Sequence, residues 1–475
     1  MMADSYITEY LELPKTIQLP VDTEINNELI KTLIEIHDNN LERYKILQGY
    51  YEGKAKIQDR TKDSHKSNNK LTLDYPSYIV DILLGMFVGK PITYTTDEKN
   101  EEILTEINSI YDYNDEQDEN TELAKLMGIK GKAYEIVYLD EENNLRFNEV
   151  DPENIIFVYD DNINPSPLMA LYIRDLISLE NLTSDEPLKA VTVYTPSTVY
   201  EFEQEGSDYK LIEDYMNVFQ DVNVIEFLNN DEGIGDFERV LTLIDEMNLL
   251  QSDTANDFEE FTNAILILYG MLNADNDDVQ QLIEDGVLLA DKIENGSQGA
   301  EWLIKDINDT ALKNYKDGLD NLIHKFAKVP NMSDESFAGN VSGESMKYKL
   351  FATDQIISQK QRKFKTALVR RLELIFNLLN LKTVSDEEKG ADYKVIEIHF
   401  NDNKPFNELD NVRMVKELLS TGASKSHAFS RLRGLENVQA ELDRQAEEAS
   451  AYSDIFKEVD DEELQGFAEE QSETD

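Results

Sequence analysis

Three groups of residues in this chain could do chemistry: glycine–lysine pairs of the kind that cradle phosphate, an Asn/Asp run of the kind that holds a cation, and scattered histidines among many carboxylates. A phosphate-cradling loop needs four residues between its first glycine and the Gly-Lys-Ser/Thr, so that backbone amides wrap the phosphates and the hydroxyl reaches magnesium. Gly85-Met86-Phe87-Val88-Gly89-Lys90-Pro91 has three and ends in proline, and Gly128-Ile129-Lys130-Gly131-Lys132-Ala133 has two and ends in alanine. Gly233-Ile234-Gly235 lacks a third glycine and any dinucleotide-fold context. Asn273 to Asp278 comes nearest to a cation loop but lacks the glycine at its sixth position, and reads as a solvated turn. His37, His65, His324, His399 and His427 show no metal-ligand spacing, and no Ser-His-Asp order with a glycine elbow is present. Cysteine is absent, which excludes disulfides, thiolate catalysis and Cys-based zinc sites. No enzyme, cofactor or metal is expected.

One stretch stands out electrostatically. From Glu344 to Leu379 eight basic residues (Lys347, Lys349, Lys360, Arg362, Lys363, Lys365, Arg370, Arg371) meet three acidic ones (Glu344, Asp354, Glu373), a surplus of five on a chain of formal charge −52. A solvated face, or pairing with a neighbouring acidic subunit, accounts for such a surplus. Direct phosphate contact by Lys347 and Lys349 is the alternative, since an ammonium is a mobile point charge that holds weakly and reversibly.

The elements that would position these residues follow in order from Phe227 to Asn380. Asp236 is a good N-cap for a helix marked by Phe237, Val240, Leu241, Ile244, Met247, Leu250, Phe258 and Phe261 at three-and-four spacing, roughly 40 Å long. A second helix begins near Asp309 and carries Leu312, Tyr315, Leu319, Leu322, Ile323 and Phe326 on one stripe before Pro330 forbids continuation. Between them, Ile265–Tyr269, Val287–Ala290 and Glu301–Ile304 have strand character, punctuated by the Asn273–Asp278 cluster and the turn dipeptide Asn295-Gly296. Two rods thus flank a small α/β knob. After Pro330 a polar loop precedes a long helix from Glu344, marked by Met346, Leu350, Ile357, Phe364, Leu368, Leu372, Ile375 and Leu379.

Elsewhere the chain reads as α+β. The residues up to Tyr51 are helical, Lys54–Lys70 is a basic loop, and Asp74–Val88 is a helix. Alternation marks strands between Ala133 and Tyr159, over Val191–Phe202, Val222–Phe227 and Tyr393–Phe400, and Asn407–Leu419 and Ser424–Ala449 are helices separated by Thr421-Gly422. From Asp454 to Asp475 ten acidic residues accompany one lysine, so a disordered acidic tail is expected. With 475 residues and 40% hydrophobic content there is length for two to four domains with real cores. No apolar run is long enough for a membrane span and the N-terminus has no signal-peptide pattern, so a soluble protein made in the cytosol is expected. The charge of −52 repels nucleic acid at long range, which suits solubility, or a conduit whose wall does not grip the duplex.

The chain resembles the portal proteins of tailed double-stranded DNA bacteriophages, of the long-tailed type infecting Gram-positive hosts. The pieces that carry the resemblance are NNKLTLDYPSYIVDILLGMFVGKPITY (Asn68–Tyr94), GKAYEIVYLDEENNLRFNEVDPENIIFVYDD (Gly131–Asp161), VIEFLNND (Val224–Asp231), KVPNMSDESFAGNVSGESMKYKL (Lys328–Leu350) and FNDNKPFNELDNVRMVKELLSTGASKSHA (Phe400–Ala428). The resemblance implies a portal fold in a ring, dodecameric if it follows the family. It places a wing at 1–235 and 344–420, stem helices at 236–262 and 310–329, a clip at 263–309, a tunnel loop at 330–343, a crown at 421–451 and the acidic tail at 452–475. It implies a tunnel loop around Asn331, Ser333, Asp334, Glu335, Phe337, Gly339, Asn340, Val341 and Ser342, in which Gly339 and Gly343 let the backbone bend; an ordinary surface loop is the plainer reading. On the clip, Trp302, with Ile265, Ile267 and Leu288, would pack against an adjacent subunit or simply in the clip core. The implied location is the capsid portal vertex of the virion, after synthesis in the host bacterial cytoplasm. The implied partners are double-stranded DNA, the terminase, a head-completion adaptor, and the major capsid and scaffolding proteins, with no membrane. The competing readings are a head–tail adaptor without a ring and a packaging enzyme, either an ATPase subunit or a carboxylate-dependent nuclease.

Overall fold

The computed structural model describes residues 16–63, 66–176, 187–262, 265–269, 287–290, 299–303, 309–332, 343–382, 392–401, 403, 408–432, 438, 439, 441–446 and 448. In chain order the elements are β1 (Ile17–Leu19), α1 (Asn27–Tyr51), α2 (Tyr75–Val88), β2 (Thr93–Thr95), α3 (Glu101–Tyr113), α4 (Glu116–Lys130), β3 (Lys132–Leu139), β4 (Leu145–Val150) and β5 (Ile155–Asp160). Then come β6 (Pro167–Asp175), β7 (Lys189–Tyr194), β8 (Thr198–Glu205), β9 (Asp208–Met216), β10 (Val224–Leu228), α5 (Leu241–Thr262), β11 (Ile265–Tyr269), β12 (Val287–Ala290) and β13 (Gly299–Leu303). The last are α6 (Asp309–Ala327), α7 (Gly343–Lys382), β14 (Glu397–His399), α8 (Glu408–Ser420) and α9 (Lys425–Phe429). The chain divides into two units, 1–332 with 349–403, and 333–348 with 404–475.

In the first unit a six-stranded sheet runs β1-β5-β6-β7-β8-β9, antiparallel except where β1 pairs with β5. Helix α1 starts where Asn26 accepts the Leu29 amide at 3.0 Å, and its Ile30, Leu33 and Ile34 bury against Ile156, Val158, Leu171, Val193 and Phe202. A second core, with Phe157 and Ala170 of this sheet and Tyr134, Ile136 and Val224 of the three-stranded sheet β10-β3-β4, joins the two sheets. The main core gathers α2 (Ile79, Leu83, Phe87), α4 (Leu123, Met127), Val137, Phe147 and Phe227 with α7 (Ile357, Phe364, Leu368, Leu372, Ile375). The apolar marks expected on the long helix are therefore buried from Leu350 to Ile375.

Several expectations shift. Helices α3 and α4 have no counterpart in the sequence reading: α4 buries residues as polar as Glu116, Asn120 and Lys130, so no apolar stripe marks it. The strand expected over Tyr393–Phe400 is a 3₁₀ turn at Tyr393–Val395, capped by Asp392 on the Lys394 amide, followed by the short β14, antiparallel to β2. The strands expected in the insert between the rods are present: β11 pairs parallel with β12 and antiparallel with β13. The third strand starts at Gly299 rather than Glu301, and the Asn273–Asp278 and Asn295-Gly296 turns lie outside the described residues.

In the second unit α8 ends as its sequence predicts. Gly422 takes φ +88°, its amide donates to Leu419 O and the Ala423 amide to Leu418 O, a Schellman motif. Ser424 then caps α9 on the His427 amide. The helix expected over Ser424–Ala449 is interrupted after Phe429, where the Arg431 and Leu432 amides turn back three residues to Ala428 and Phe429, and residues 438, 439, 441–446 and 448 are again helical. The acidic tail lies outside the described residues.

Candidate functional site

The two rods, α5 and α6, lie side by side. The Tyr315 hydroxyl donates to Glu246 Oε1 at 3.1 Å, and the Lys316 ammonium to Gln251 Oε1 at 2.7 Å. Phe237, Val240, Leu241, Ile244 and Met247 at the base of the first rod share the main core with Leu319 and Ile323 of the second. Other apolar residues of the rods are exposed: Phe258 farther along α5 and Tyr315 on α6, with Leu322 and Phe326 on a face of α6 beside the buried Leu319 and Ile323. Asp236 does not cap the first rod as its position suggests. Its carboxylate is buried against the Lys360 ammonium at 2.5 Å and accepts from Asn229, while Glu238 Oε2 reaches back to the Gly235 amide at 2.8 Å. A 3₁₀ turn at Glu238–Val240 intervenes, so α5 itself has 22 residues, about 33 Å.

An extended segment straps the rods. Asn248, Ser252 and Asn256 recur every four residues on one face of α5, and their side-chain oxygens accept the amides of Leu73, Leu71 and Asn69 at 2.8, 2.9 and 2.7 Å. The alternating amides of a β-like segment thus find acceptors at helical spacing. Just before it, the buried Arg60 guanidinium bonds Asp253 at 2.7 Å, and Lys62 reaches the same carboxylate at 3.2 Å. Just after it, Tyr75 donates to Asp320 of the second rod at 2.7 Å. Burial, then Asp320, pushes the Tyr75 phenol up. Tyr78 donates to Pro330 O and accepts the Met332 amide, each at 2.9 Å. The same few residues therefore fix both rods and the exit from α6. That exit needs a left-handed residue ahead of proline, and Lys328 supplies it with φ +56°, its carbonyl accepting the Thr353 hydroxyl of α7 at 2.8 Å.

Of the residues expected in the loop after Pro330, Asn331 donates to Asp320 Oδ2 at 3.0 Å, while Ser333, Asp334, Glu335, Phe337, Gly339, Asn340, Val341 and Ser342 lie outside the described residues. Lys347 falls within α7 with its side chain outside the described residues, and Lys349 is exposed. On the insert, Trp302 stands opposite Leu266 and Ile267 opposite Leu288 in register; the side chains of Ile265, Ile267, Leu288 and Trp302 lie outside the described residues.

Of the eight cations on the long helix, Lys360, Lys363, Arg370 and Arg371 pair within the chain, while Lys349, Arg362 and Lys365 are exposed. Lys360 pairs with Asp236, Lys363 with Asp231, and Arg370 with Asp221 and Glu373. Arg371, fully buried, bonds Glu135 at 2.6 Å and Glu116 at 3.2 Å, donates to Asn120, and lies over the Phe147 ring at 4.5 Å. Burial alone would lower its pKa, and Glu135 more than offsets this, so it is held above its ordinary value. Burial pushes the Glu135 carboxyl up. Nearby, burial and then Glu149 push the Glu119 carboxyl up to about 8. Its folded pKa exceeds the unfolded value, so its contribution is present in acid and is lost as pH rises through about 8. Glu119→Gln is accordingly expected to raise the thermal midpoint more at pH 9 than at pH 5; an equal change at both checks against this assignment.

The glycine runs that could have suggested phosphate chemistry serve close backbone packing. Gly131 ends α4 with φ +86°, where a Cβ would lie 2.0 Å from Gly233 O, and a Cβ on Gly235 would lie 2.3 Å from Ile129 O. Among the described residues no group of three His, Asp or Glu is placed to hold a metal, and no helix is long and apolar enough to cross a membrane.

Residues 30–454 match the family described as "Phage portal protein, SPP1 Gp6-like". The portal protein of Bacillus phage SPP1 is 25% identical over 409 residues, covering 83% of this chain and 78% of that one. A solved structure described as "Neck of empty GTA particle computed with C6 symmetry" aligns with 76% of this chain and 90% of its own at 11% identity, with a TM-score of 0.42. The chain belongs to the SPP1 Gp6-like family of phage portal proteins, a structural family rather than an enzymatic one.

Proposed function

We propose that copies of this chain assemble head to tail into a ring, dodecameric as the resemblance implies, at one vertex of the capsid, and that the genome passes in and out through its bore. The rods α5 and α6 line a rigid channel, and residues 330–343 form its narrowest aperture. The insert carrying β11, β12 and β13 docks the terminase during packaging and a head-completion adaptor afterwards. The wing (1–235 and 344–420) and the crown (421–451) face capsid and scaffold. Synthesis takes place in the host cytoplasm.

The observation that carries this reading is the pair of strapped rods around a strand-bearing insert, with apolar residues still facing solvent. Phe258, Leu322 and Phe326, exposed on the two rods, are the surface expected where a neighbouring subunit packs. A ring closes only if each subunit presents two different complementary faces. The net charge of −52 supports a bore that does not grip phosphate, because fewer contacts must break as the duplex slides. Negative-stain electron microscopy of the purified protein tests the proposal. Rings with an open central hole are expected; a persistent monomer, or an assembly with a filled centre, would refute it.

A further inference from the structure

We infer that the cleft between β2 and the turn from α3 to α4 is a binding site for an organic cation that carries several N–H donors, the chemistry of a polyamine or of a basic side chain. The inference concerns the single subunit and does not depend on the ring.

The cleft has a volume of about 540 Å³, the size of a small-molecule site and far more than a water or a bare ion needs. Tyr94, Tyr111, Asp112, Asp115, Glu116 and Asp118 line it. Two of these are already engaged: the Tyr94 hydroxyl donates to Glu116 Oε1 at 2.6 Å, and Arg371 Nη1 reaches the same oxygen at 3.2 Å. Tyr111 is not. Its ring centroid stands 4.8 Å from that of Tyr94, the residue is only 5% exposed, and its hydroxyl is buried without a hydrogen-bond partner among the described residues. Buried hydroxyls are ordinarily paired, so this one, on the wall of a cleft, is a bonding position that an occupant would use.

The carboxylates set the sign of the occupant. Asp112, Asp115 and Asp118 are exposed, and none of them makes an ion pair among the described residues. The positive end of α4 accounts for Asp118, but Asp112 lies in the last turn of α3, at the negative end of a helix, where a carboxylate is disfavoured and a nearby cation relieves it. Their spacing sets its kind. Among the described residues no three of these acids converge as a metal ion requires. A chain of amines or a guanidinium spreads its donors, so it reaches separate carboxylates and the Tyr111 hydroxyl at once, and two tyrosine rings suit its methylenes or its planar head.

The test titrates the full chain by calorimetry, at constant ionic strength, with spermidine and separately with an acetylated arginine amide. Saturation at one site per chain is expected; tighter binding of spermidine identifies a free polyamine as the ligand, and tighter binding of the amide identifies a side chain of a protein partner. The double variant Asp112→Asn/Asp118→Asn changes two exposed positions, so it is expected to keep the wild-type thermal transition and to lose about ten-fold or more in affinity. Tyr111→Phe separates binding from architecture: its hydroxyl has no partner in the free chain, so the thermal midpoint should stay or rise while affinity falls about five-fold or more. If neither cation saturates, or if these variants bind like wild type, the inference is overturned, and any uptake is the diffuse attraction of a chain of charge −52.

Discussion

Arg371→Ala is expected to cost about 3–5 kcal/mol, because it leaves buried carboxylates without their cation. Glu135 is fully buried and Glu116 nearly so, and Arg371 bonds both while its guanidinium lies over Phe147. A thermal midpoint lower by on the order of 10 °C follows if unfolding is followed on the unassembled chain. The pH dependence identifies the cause. Without Arg371 the Glu135 carboxyl keeps the upward push of burial and loses what opposed it, so its folded pKa lies further above the unfolded value. Such a group contributes stability in acid that is lost as pH rises through the folded pKa, so the variant should be closest to wild type at low pH and fall behind above it. Adding Glu135→Gln should recover part of the loss. If Arg371→Ala melts like wild type across pH 5 to 8, the buried network does not hold α7 to the sheet.

The same network shows what could and could not be read in advance. The apolar phase of the long helix is legible, since residues at seven, four and three spacings all bury. The fate of its cations is not, because Arg371 and Glu135 are 236 positions apart and Lys360 and Asp236 are 124 apart. A local signal did exist. Lys360 stands three residues after Ile357 and four before Phe364, and Arg371 three after Leu368 and four before Ile375, so both are in phase with the buried stripe. A cation in that phase must find a partner in the interior.

The rods and the insert strands were legible because each has a strong local period: 3.6 residues in α5 and α6, short β-rich runs in β11 and β12. The strap was not, since residues 69–73 have neither, and their order comes from Asn248, Ser252 and Asn256. Those three polar residues at four-residue spacing read as the wet face of a helix, when they are the face that holds another piece of chain. Capping failed at Asp236 for a related reason: a good N-cap residue was claimed instead by a buried ammonium from 124 positions away.

Gly131→Ala, set beside Gly53→Ala, separates two costs that a glycine can carry. Both positions have positive φ, +86° and +79°, so each alanine pays the left-handed penalty of about 1–2 kcal/mol. At Gly53 nothing lies within 4 Å of the new Cβ, and the loss should stop there. At Gly131 the Cβ would sit 2.0 Å from Gly233 O and 2.4 Å from Gly233 C, atoms of backbone that cannot rotate aside. Gly233 O is already held by Arg43 Nη2 at 3.0 Å, and Gly131 O accepts the Asn229 amide at 3.0 Å, so the two segments cannot part without breaking both bonds. A total loss above about 4 kcal/mol is expected, the range reached when a backbone contact is forced open. Urea midpoints of the two variants give the comparison. Equal midpoints would show that the 131–233 approach is slack, and with it the junction where the sheet, α4 and the start of the first rod meet. A wide gap would show that the direction of the rod is set by backbone contact at two glycines, which no side chain could replace.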